Sequence, residues 1–324
     1  MTVLACDKKT SAYISNIQHF CVHDGNGFRT TVFLQGCPLR CAWCQNPELQ
    51  SYKPVHIYRA SECNGCLACI EACVYGNLNV GTNSFRCMDE RLCRECLADT
   101  EHGYAPCEEE CYFHARQLSS HPMSVREVFS ECLKESMFYQ DKQFDGGITL
   151  SGGEPLSHFE FCMEMARLCY DYDVSLAVET SGYVGWETIR QIAPYVDIFL
   201  YDLKVISENK RRRYIGAEET FDLNNLIMLA KIHHHIVIRI PLVPGVNDDE
   251  AEFGKIIEFT KTIMMLKDIQ ILPFHQLGAG KYDMAGLNYT MKDIGEDNHE
   301  NVIRCAAMAK EAGFNVGIGG ADFT

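Results

Sequence analysis

The chain has 324 residues, 47% of them hydrophobic and 23% charged, with a formal net charge of −15 and a pI near 5.2. That length can bury a large core, as one big domain or two smaller ones, and the acidic balance excludes nucleic acid and anionic membrane surfaces, which need a positive field. Residues 1–20 hold no apolar core of signal-peptide length, and no apolar run approaches the ~20 residues that span a bilayer, so a cytoplasmic protein with no membrane partner is expected.

Residues 14–20 and 31–35 read as short strands, and the turn between them, residues 24–29, carries the Gly and Asn of a hairpin. The next stretch, Gly36-Cys37-Pro38-Leu39-Arg40-Cys41-Ala42-Trp43-Cys44-Gln45-Asn46-Pro47, organises the rest of the chain, because Cys37, Cys41 and Cys44 fall at a C-x3-C-x2-C spacing. A [4Fe–4S] cube normally takes four thiolates, so three close cysteines hold three irons and leave the fourth without a protein ligand. An open metal position separates a reactive site from a closed structural one, as it does for catalytic zinc. The competing readings are thiols buried as small hydrophobes and a structural zinc knuckle, but a knuckle would bring a fourth ligand close by and none follows here. Eighteen cysteines in a reducing compartment point to metal rather than disulfides, and twelve of them lie between Cys37 and Cys111.

From about residue 52 to 119 the texture changes. Cys63, Cys66, Cys69 and Cys73 form C-x2-C-x2-C-x3-C, the bacterial ferredoxin pattern with Val74 in place of its trailing proline. Cys93, Cys96, Cys107 and Cys111 form a stretched version, with ten residues before Cys107 and Tyr112 in the proline place. Two runs of four imply two further cubes. In two-cluster ferredoxins the last cysteine of each run serves the other cluster, which groups Cys63, Cys66 and Cys69 with Cys111, and Cys93, Cys96 and Cys107 with Cys73. Cys87 is the substitute ligand should one of these not serve, and a pair of zinc sites is the competing reading.

After Ser124 the pattern is strand, loop, helix, repeated. Residues 147–151, 174–179, 197–202, 236–240 and 269–273 are short apolar β-rich runs, followed by helical stretches such as 159–170 and 251–265. Apolar strands separated by amphipathic helices indicate parallel βαβ units, hence an α/β chain. With residues 31–35 there are six such strands, and 315–318 adds an edge strand. Ser151-Gly152-Gly153-Glu154-Pro155, Glu179-Thr180-Ser181-Gly182, Asp202-Leu203-Lys204, Arg239 with Pro244-Gly245-Val246-Asn247-Asp248, and Phe274-His275-Gln276 each fall at or past a strand's C-terminal end, the face on which barrel active sites are built. His233-His234-His235 precedes a strand and reads as solvent-facing rather than metal-binding.

Together these motifs resemble the radical S-adenosylmethionine (SAM) superfamily. The flanks His23-Asp24-Gly25-Asn26-Gly27-Phe28-Arg29-Thr30 and Cys37 to Glu48 resemble its glycyl radical enzyme activating branch, from about residue 15 to the C-terminus. Asn26 departs from that branch, where proline is usual; Gly25 and Gly27 still allow the tight path, so the change falls on loop stiffness. The resemblance implies a partial (β/α)6 TIM-like barrel, residues 1–51 and 120–324, with an inserted ferredoxin-like two-cluster domain at residues 52–119. It implies that Gly152 and Gly153 let the backbone approach the methionine end of SAM, that Glu154 accepts from its ammonium, and that Lys204 offsets its carboxylate. Arg239 and His275 would fix the nucleoside, Trp43 would face the adenine or pack over the cluster, and Gln45, Asp202 and Leu203 complete the set. Glu179, Thr180 and Asp202 correspond to residues around a monovalent cation.

The activity implied is reductive cleavage of SAM at the Cys37/Cys41/Cys44 cluster and abstraction of a glycine α-hydrogen by the 5′-deoxyadenosyl radical. Asp24 would help dock the glycine loop of a large glycyl radical enzyme, with flavodoxin or ferredoxin as electron donor and the chain itself a monomer. A radical SAM enzyme acting on a small molecule or installing another peptide modification would share the SAM residues but not the 24–29 turn. A multi-cluster electron-transfer protein would lack the ordered strand-end motifs.

Overall fold

In the computed structural model, which describes residues 10–80, 85–87, 89–98, 103–139, 146–295 and 299–319, β1 (Ser11–Cys21) and β2 (Arg29–Leu34) form an antiparallel pair with Cys21 opposite Arg29. The short strands β3 (His56–Tyr58), β4 (Leu78–Val80), β5 (Phe85–Cys87) and β6 (Arg116–Leu118) follow, and then β7 (His121–Ser124), which pairs with the free edge of β1. Next come β8 (Gly147–Gly152), β9 (Ser175–Thr180), β10 (Ile198–Asp202), β11 (Ile236–Leu242), β12 (Asp268–Pro273) and β13 (Asn315–Ile318). The main sheet has nine strands in the order β13-β12-β11-β10-β9-β8-β2-β1-β7. Every ladder from β2 to β13 is parallel, and the helices Phe159–Asp171, Trp186–Ile192, Phe221–Leu229, Glu250–Lys261 and His299–Glu311 provide crossovers.

The six apolar runs read from the sequence are β2, β8, β9, β10, β11 and β12, neighbours in the sheet, and 315–318 is the edge strand β13. The helix expected over 251–265 stops at Lys261, where the Thr260 and Thr262 hydroxyls donate to the carbonyls of Ile256 and Phe259. Strand β7 carries no apolar run and contains Pro122, tolerated because the strand lies at the sheet's edge.

Side chains alternate across a strand, and the two faces of this sheet differ in chemistry. One parity, with Val32, Ile148, Leu150, Val178, Phe199, Tyr201, Ile238 and Ile240, packs with Phe161, Ile189, Leu226 and Phe253 of the helices in the main core. The opposite parity carries a small apolar cluster, Ala177, Ile198, Leu200 and Val237, and then Thr31, Thr149, Ser151, Glu179, Asp202 and Arg239. The helix-facing core therefore holds the sheet together, while the other face is free to carry polar chemistry.

Residues 52–119 leave and rejoin the sheet at one place. β3 pairs antiparallel with β6, Tyr58 lying opposite Arg116, and Val55 and Ser119 exchange backbone and side-chain hydrogen bonds just outside that pair. The Ser119 hydroxyl donates to Gln35 Oε1 at 3.0 Å, and Gln35 Nε2 donates to the carbonyls of Glu48 and Ser51 at 2.8 and 2.7 Å. Gln35, wholly buried, thereby ties the end of β2, the loop after it and the root of this segment into one unit. No helix among the described residues is long and apolar enough to cross a membrane.

Candidate active site

The loop after β2 is fixed mainly by its own backbone. Arg40 and Ala42 donate from their backbone N–H groups to the carbonyls of Ile215 and Tyr214 at 2.9 and 2.8 Å, and the Tyr282 hydroxyl donates to the Cys44 carbonyl at 3.1 Å. Gln45 accepts from Gly278 N–H at 2.9 Å and donates to the His275 carbonyl at 3.0 Å, which joins the loop to the segment after β12. So held, Cys37, Cys41 and Cys44 wall a single cavity of about 240 Å³, together with residues from the C-terminal ends of β8 to β12.

Burial pushes all three thiols up, Cys41 to about 12 even with the Lys204 ammonium pulling the other way. A positive charge bound among them, such as that of a metal cluster, would favour their thiolate forms. Among the described residues no three His, Cys, Asp or Glu side chains close around one point as ligands of a single ion. Three soft thiolates around one cavity fit a larger iron–sulfur cluster.

Opposite the thiols, Lys204 pairs with Asp202 Oδ2 at 2.7 Å. Burial works against the ammonium, but the charge of Asp202 and its hydrogen bond, joined by Cys41 and Cys37 when these are thiolates, hold the lysine charged above its ordinary range. Asp202 Oδ1 is buried and has no hydrogen-bond partner among the described residues, leaving an acceptor on the cavity wall for a cationic group. Trp43, Gln45, His275, Gly152 and Gly153 also line this wall, where the sequence placed them. Trp43 packs with Leu39, Val205 and Phe274, which gives the cavity an apolar side. The two glycines have a further reason to be glycine. A Cβ on Gly152, whose φ is +119°, would lie 2.3 Å from Leu34 N, and one on Gly153 would lie 2.2 Å from the Gly36 carbonyl oxygen. Their bareness seats this loop on the root of the cysteine loop.

Four expected residues stand outside the cavity wall. Leu203 shares the parity of Phe199 and Tyr201, and its side chain is in the main core. Arg239 lies on the polar face, its guanidinium 2.8 Å from Glu179 Oε1 and 4.0 Å from Asp24 Oδ1. Asp24 accepts from the Thr31 hydroxyl at 2.8 Å, and its turn is pinned by wholly buried Arg29, which reaches the Asn26 carbonyl and the Thr149 hydroxyl. The turn is thus folded against the polar face rather than left as a free hairpin.

Glu154 is the clearest difference from expectation. It is fully buried, and its carboxylate accepts from Thr180 Oγ1 at 2.7 Å, Ser181 N–H at 2.9 Å, Ser181 Oγ at 2.6 Å and Leu156 N–H at 3.3 Å. Burial pushes the carboxyl up while the Ser181 and Thr180 bonds oppose it. With its oxygens engaged, this side chain clamps the end of β9 to the loop after β8 and does not present itself to the cavity. Glu179 is likewise committed, to Arg239 and to the Ser151 hydroxyl at 2.5 Å, so of the expected cation set Asp202 keeps the open oxygen. Glu154→Gln, which swaps two acceptors for one acceptor and a donor against four N–H or O–H donors, should lower the melting temperature by several degrees, a cost of about 1–3 kcal/mol. SAM affinity, measured by calorimetry on reconstituted protein, should change less than about threefold. A tenfold loss of affinity at unchanged melting temperature would mean that the carboxylate turns to the ligand after all.

His234 and His235 are exposed, as read from the sequence; His233 is half-buried, bonds the Val196 carbonyl at 2.8 Å and packs edge-on to Phe199. Gln35 and Tyr282 carry no motif that singles them out. Their partners lie far along the chain.

Beyond the sheet, two smaller cavities divide the eight cysteines of the two ferredoxin-like runs. Cys63, Cys66, Cys69 and Cys111 wall one, and Cys73, Cys93, Cys96 and Cys107 wall the other. Asn77, nearly wholly buried, donates from its backbone N–H to Cys73 Sγ and from its side-chain amide to Cys93 Sγ, both at 3.2 Å. The side chain of Cys87 lies outside the described residues.

Comparison with known proteins agrees with this geometry. Residues 110–257 match the Radical SAM superfamily. The chain is 34% identical over 310 residues to the trans-4-hydroxy-L-proline dehydratase activating enzyme of Clostridioides difficile, which covers 95% of this chain and 99% of that one. It is 35% identical over 288 residues to the (2S)-3-sulfopropanediol dehydratase activating enzyme of Klebsiella oxytoca, covering 87% of each chain. It is 32% identical over 304 residues to the 4-hydroxyphenylacetate decarboxylase activating enzyme of Clostridioides difficile strain CD196, covering 92% of this chain and 93% of that one. With the C-x3-C-x2-C loop and the strand-end residues around one cavity, similarity at this level over nearly the whole length means that the chain belongs to the glycyl radical enzyme activating enzymes of the radical SAM superfamily.

Proposed function

We propose that the chain carries a [4Fe–4S] cluster on Cys37, Cys41 and Cys44, binds SAM against it, and activates a large glycyl radical enzyme, drawing electrons through two further clusters held by residues 52–119. The observation that carries the reading is the single cavity walled by those three thiols and by the ends of five parallel strands. When bound, the cluster would supply the electron for reductive cleavage of SAM, the chemistry that would remove the α-hydrogen of the partner's glycine.

The chain's own part is to bind, orient and exclude water. Lys204 faces the SAM carboxylate, while Asp202 Oδ1 receives the ammonium or a monovalent cation. Leu39, Trp43, Val243 and Phe274 form a dry side that keeps solvent from a reactive fragment. We read β2 and β8 to β12 as the partial (β/α)6 barrel, formed by residues 1–51 and 120–324, and residues 52–119 as a ferredoxin-like insert. The two cavities, each walled by three cysteines of one run and the last of the other, support the crossed pairing of ligands. The insert has a buried apolar cluster of only Leu78, Ala105, Cys107 and Leu118 among the described residues, so cluster binding would supply much of its folding energy. A flavodoxin or ferredoxin is the donor, and the chain works as a monomer.

Asp24 belongs to the partner's docking site. Its side chain is 22% exposed beside Arg239, where an incoming backbone loop could be held. The test uses the reconstituted enzyme, SAM, a strong reductant and a partner carrying an Arg-Val-x-Gly-like loop. A carbon-centred EPR doublet should appear on the partner together with 5′-deoxyadenosine, and Asp24→Ala should weaken the doublet at least about tenfold while SAM affinity holds, the loss of a charge-assisted contact of roughly 1.4 kcal/mol or more. Equal doublets from both proteins would reduce Asp24 to a turn residue. Failure of the native protein to form 5′-deoxyadenosine would instead favour an electron-transfer role.

A further inference from the structure

Arg116 is among the largest fully buried side chains of the protein, at 1% exposure, although the segment it belongs to has a very small apolar core. Burying a guanidinium is costly unless something nearby gains from the charge. The strand pair β3·β6 places Arg116 between the two sets of cysteines. Its backbone N–H donates to Cys111 Sγ at 3.4 Å, and it forms part of the wall around Cys63, Cys66, Cys69 and Cys111. Its side chain also lines a further cavity together with Cys93, which belongs to the other set. One buried cation is thus set beside both groups of cysteines.

We propose that Arg116 is a shared electrostatic tuner: one buried cation that raises the reduction potentials of both insert clusters together. This rests on the two-cluster reading above. A cube held by four thiolates is anionic and gains one more negative charge on reduction, so a fixed cation beside it favours the reduced form. Hydrogen bonds to the sulfurs act in the same direction. Because one residue serves both sets, the two potentials move in the same direction, so both clusters become easier for a donor protein to reduce. Asn77 supplies the contrast. Its two N–H···S bonds go to Cys73 and Cys93, which wall the same cavity, and it carries no charge.

The test is an EPR-monitored redox titration of reconstituted holoenzyme, the catalytic cluster being recognised by its response to added SAM. Arg116→Gln, which keeps polar reach and loses the charge, should disfavour reduction of both insert clusters by at least about tenfold, a fall of roughly 59 mV for a one-electron couple, and leave the catalytic cluster in place. Arg116→Lys should keep most of both potentials. Asn77→Ala should move one insert cluster and not the other. Native protein with about four irons would sink the two-cluster reading, and the inference with it. About twelve irons with either insert potential unmoved in Arg116→Gln would overturn the shared tuner alone. Should Arg116→Gln fail to retain its insert irons, Arg116→Lys decides: retention supports the need for charge, and loss in both assigns Arg116 to packing.

Discussion

Replacing Cys37, Cys41 and Cys44 together by alanine is expected to abolish SAM cleavage, down to the level of a protein-free control, and to remove about four of about twelve irons. The effect should be total because the sulfur donors on that cavity wall are those three thiols; His275 offers a single imidazole, and Asp202 and Glu179 are hard oxygen groups paired with Lys204 and Arg239. The fold should survive. The loop is held by Arg40 and Ala42 on the 214–215 backbone, by Gln45 on Gly278 and by Trp43 in its apolar cluster, none of which needs a thiol. Iron analysis, 5′-deoxyadenosine quantitation and a melting curve on the same sample check the three parts. Retained cleavage, or iron content equal to that of the native protein, would remove the catalytic cluster from this loop.

The second large effect depends on the electron donor. Substituting Cys66 and Cys96 by serine, one from each insert cavity, should leave SAM cleavage within about threefold of native when a small chemical reductant reaches the catalytic cluster directly. With flavodoxin or ferredoxin as donor the same variant should fall by at least about tenfold, because cubes saturated by four thiolates cannot chelate SAM and serve only to carry electrons or to dock a partner. Metal binding stabilises a small cysteine-rich module, so circular dichroism and SAM affinity are compared with native first. A well-folded variant that runs normally on the protein donor would turn the insert into a docking surface. Arg116→Gln adds a graded version of this experiment, since it alters the insert's potentials without removing a ligand.

Local information made the catalytic loop and the sheet readable. C-x3-C-x2-C is a spacing within eight residues, and the β-rich apolar runs, read in chain order, become adjacent parallel strands because short right-handed crossovers make sequence neighbours into sheet neighbours. The same alternation along 198–202, continued one residue further, puts Leu203 with Phe199 and Tyr201 in the core and leaves Asp202 and Lys204 on the cavity wall. Those outcomes were in the sequence as period and order.

The partners of buried polar groups were not. Arg29 bonds Thr149, 120 residues away, and Glu154 spends its carboxylate on Thr180 and Ser181 although a glutamate in that motif reads as a ligand for an ammonium. Gln35 meets Ser119 only because a segment of some eighty residues leaves and returns beside it, and Arg116 lies between two cysteine sets only because β3 and β6 pair as the stem of that segment. A sequence determines which groups must find partners, since a buried donor or charge left without one costs several kcal/mol. Which partner each one finds depends on which strand ends and loops are brought together, and that is decided only when the chain closes on itself.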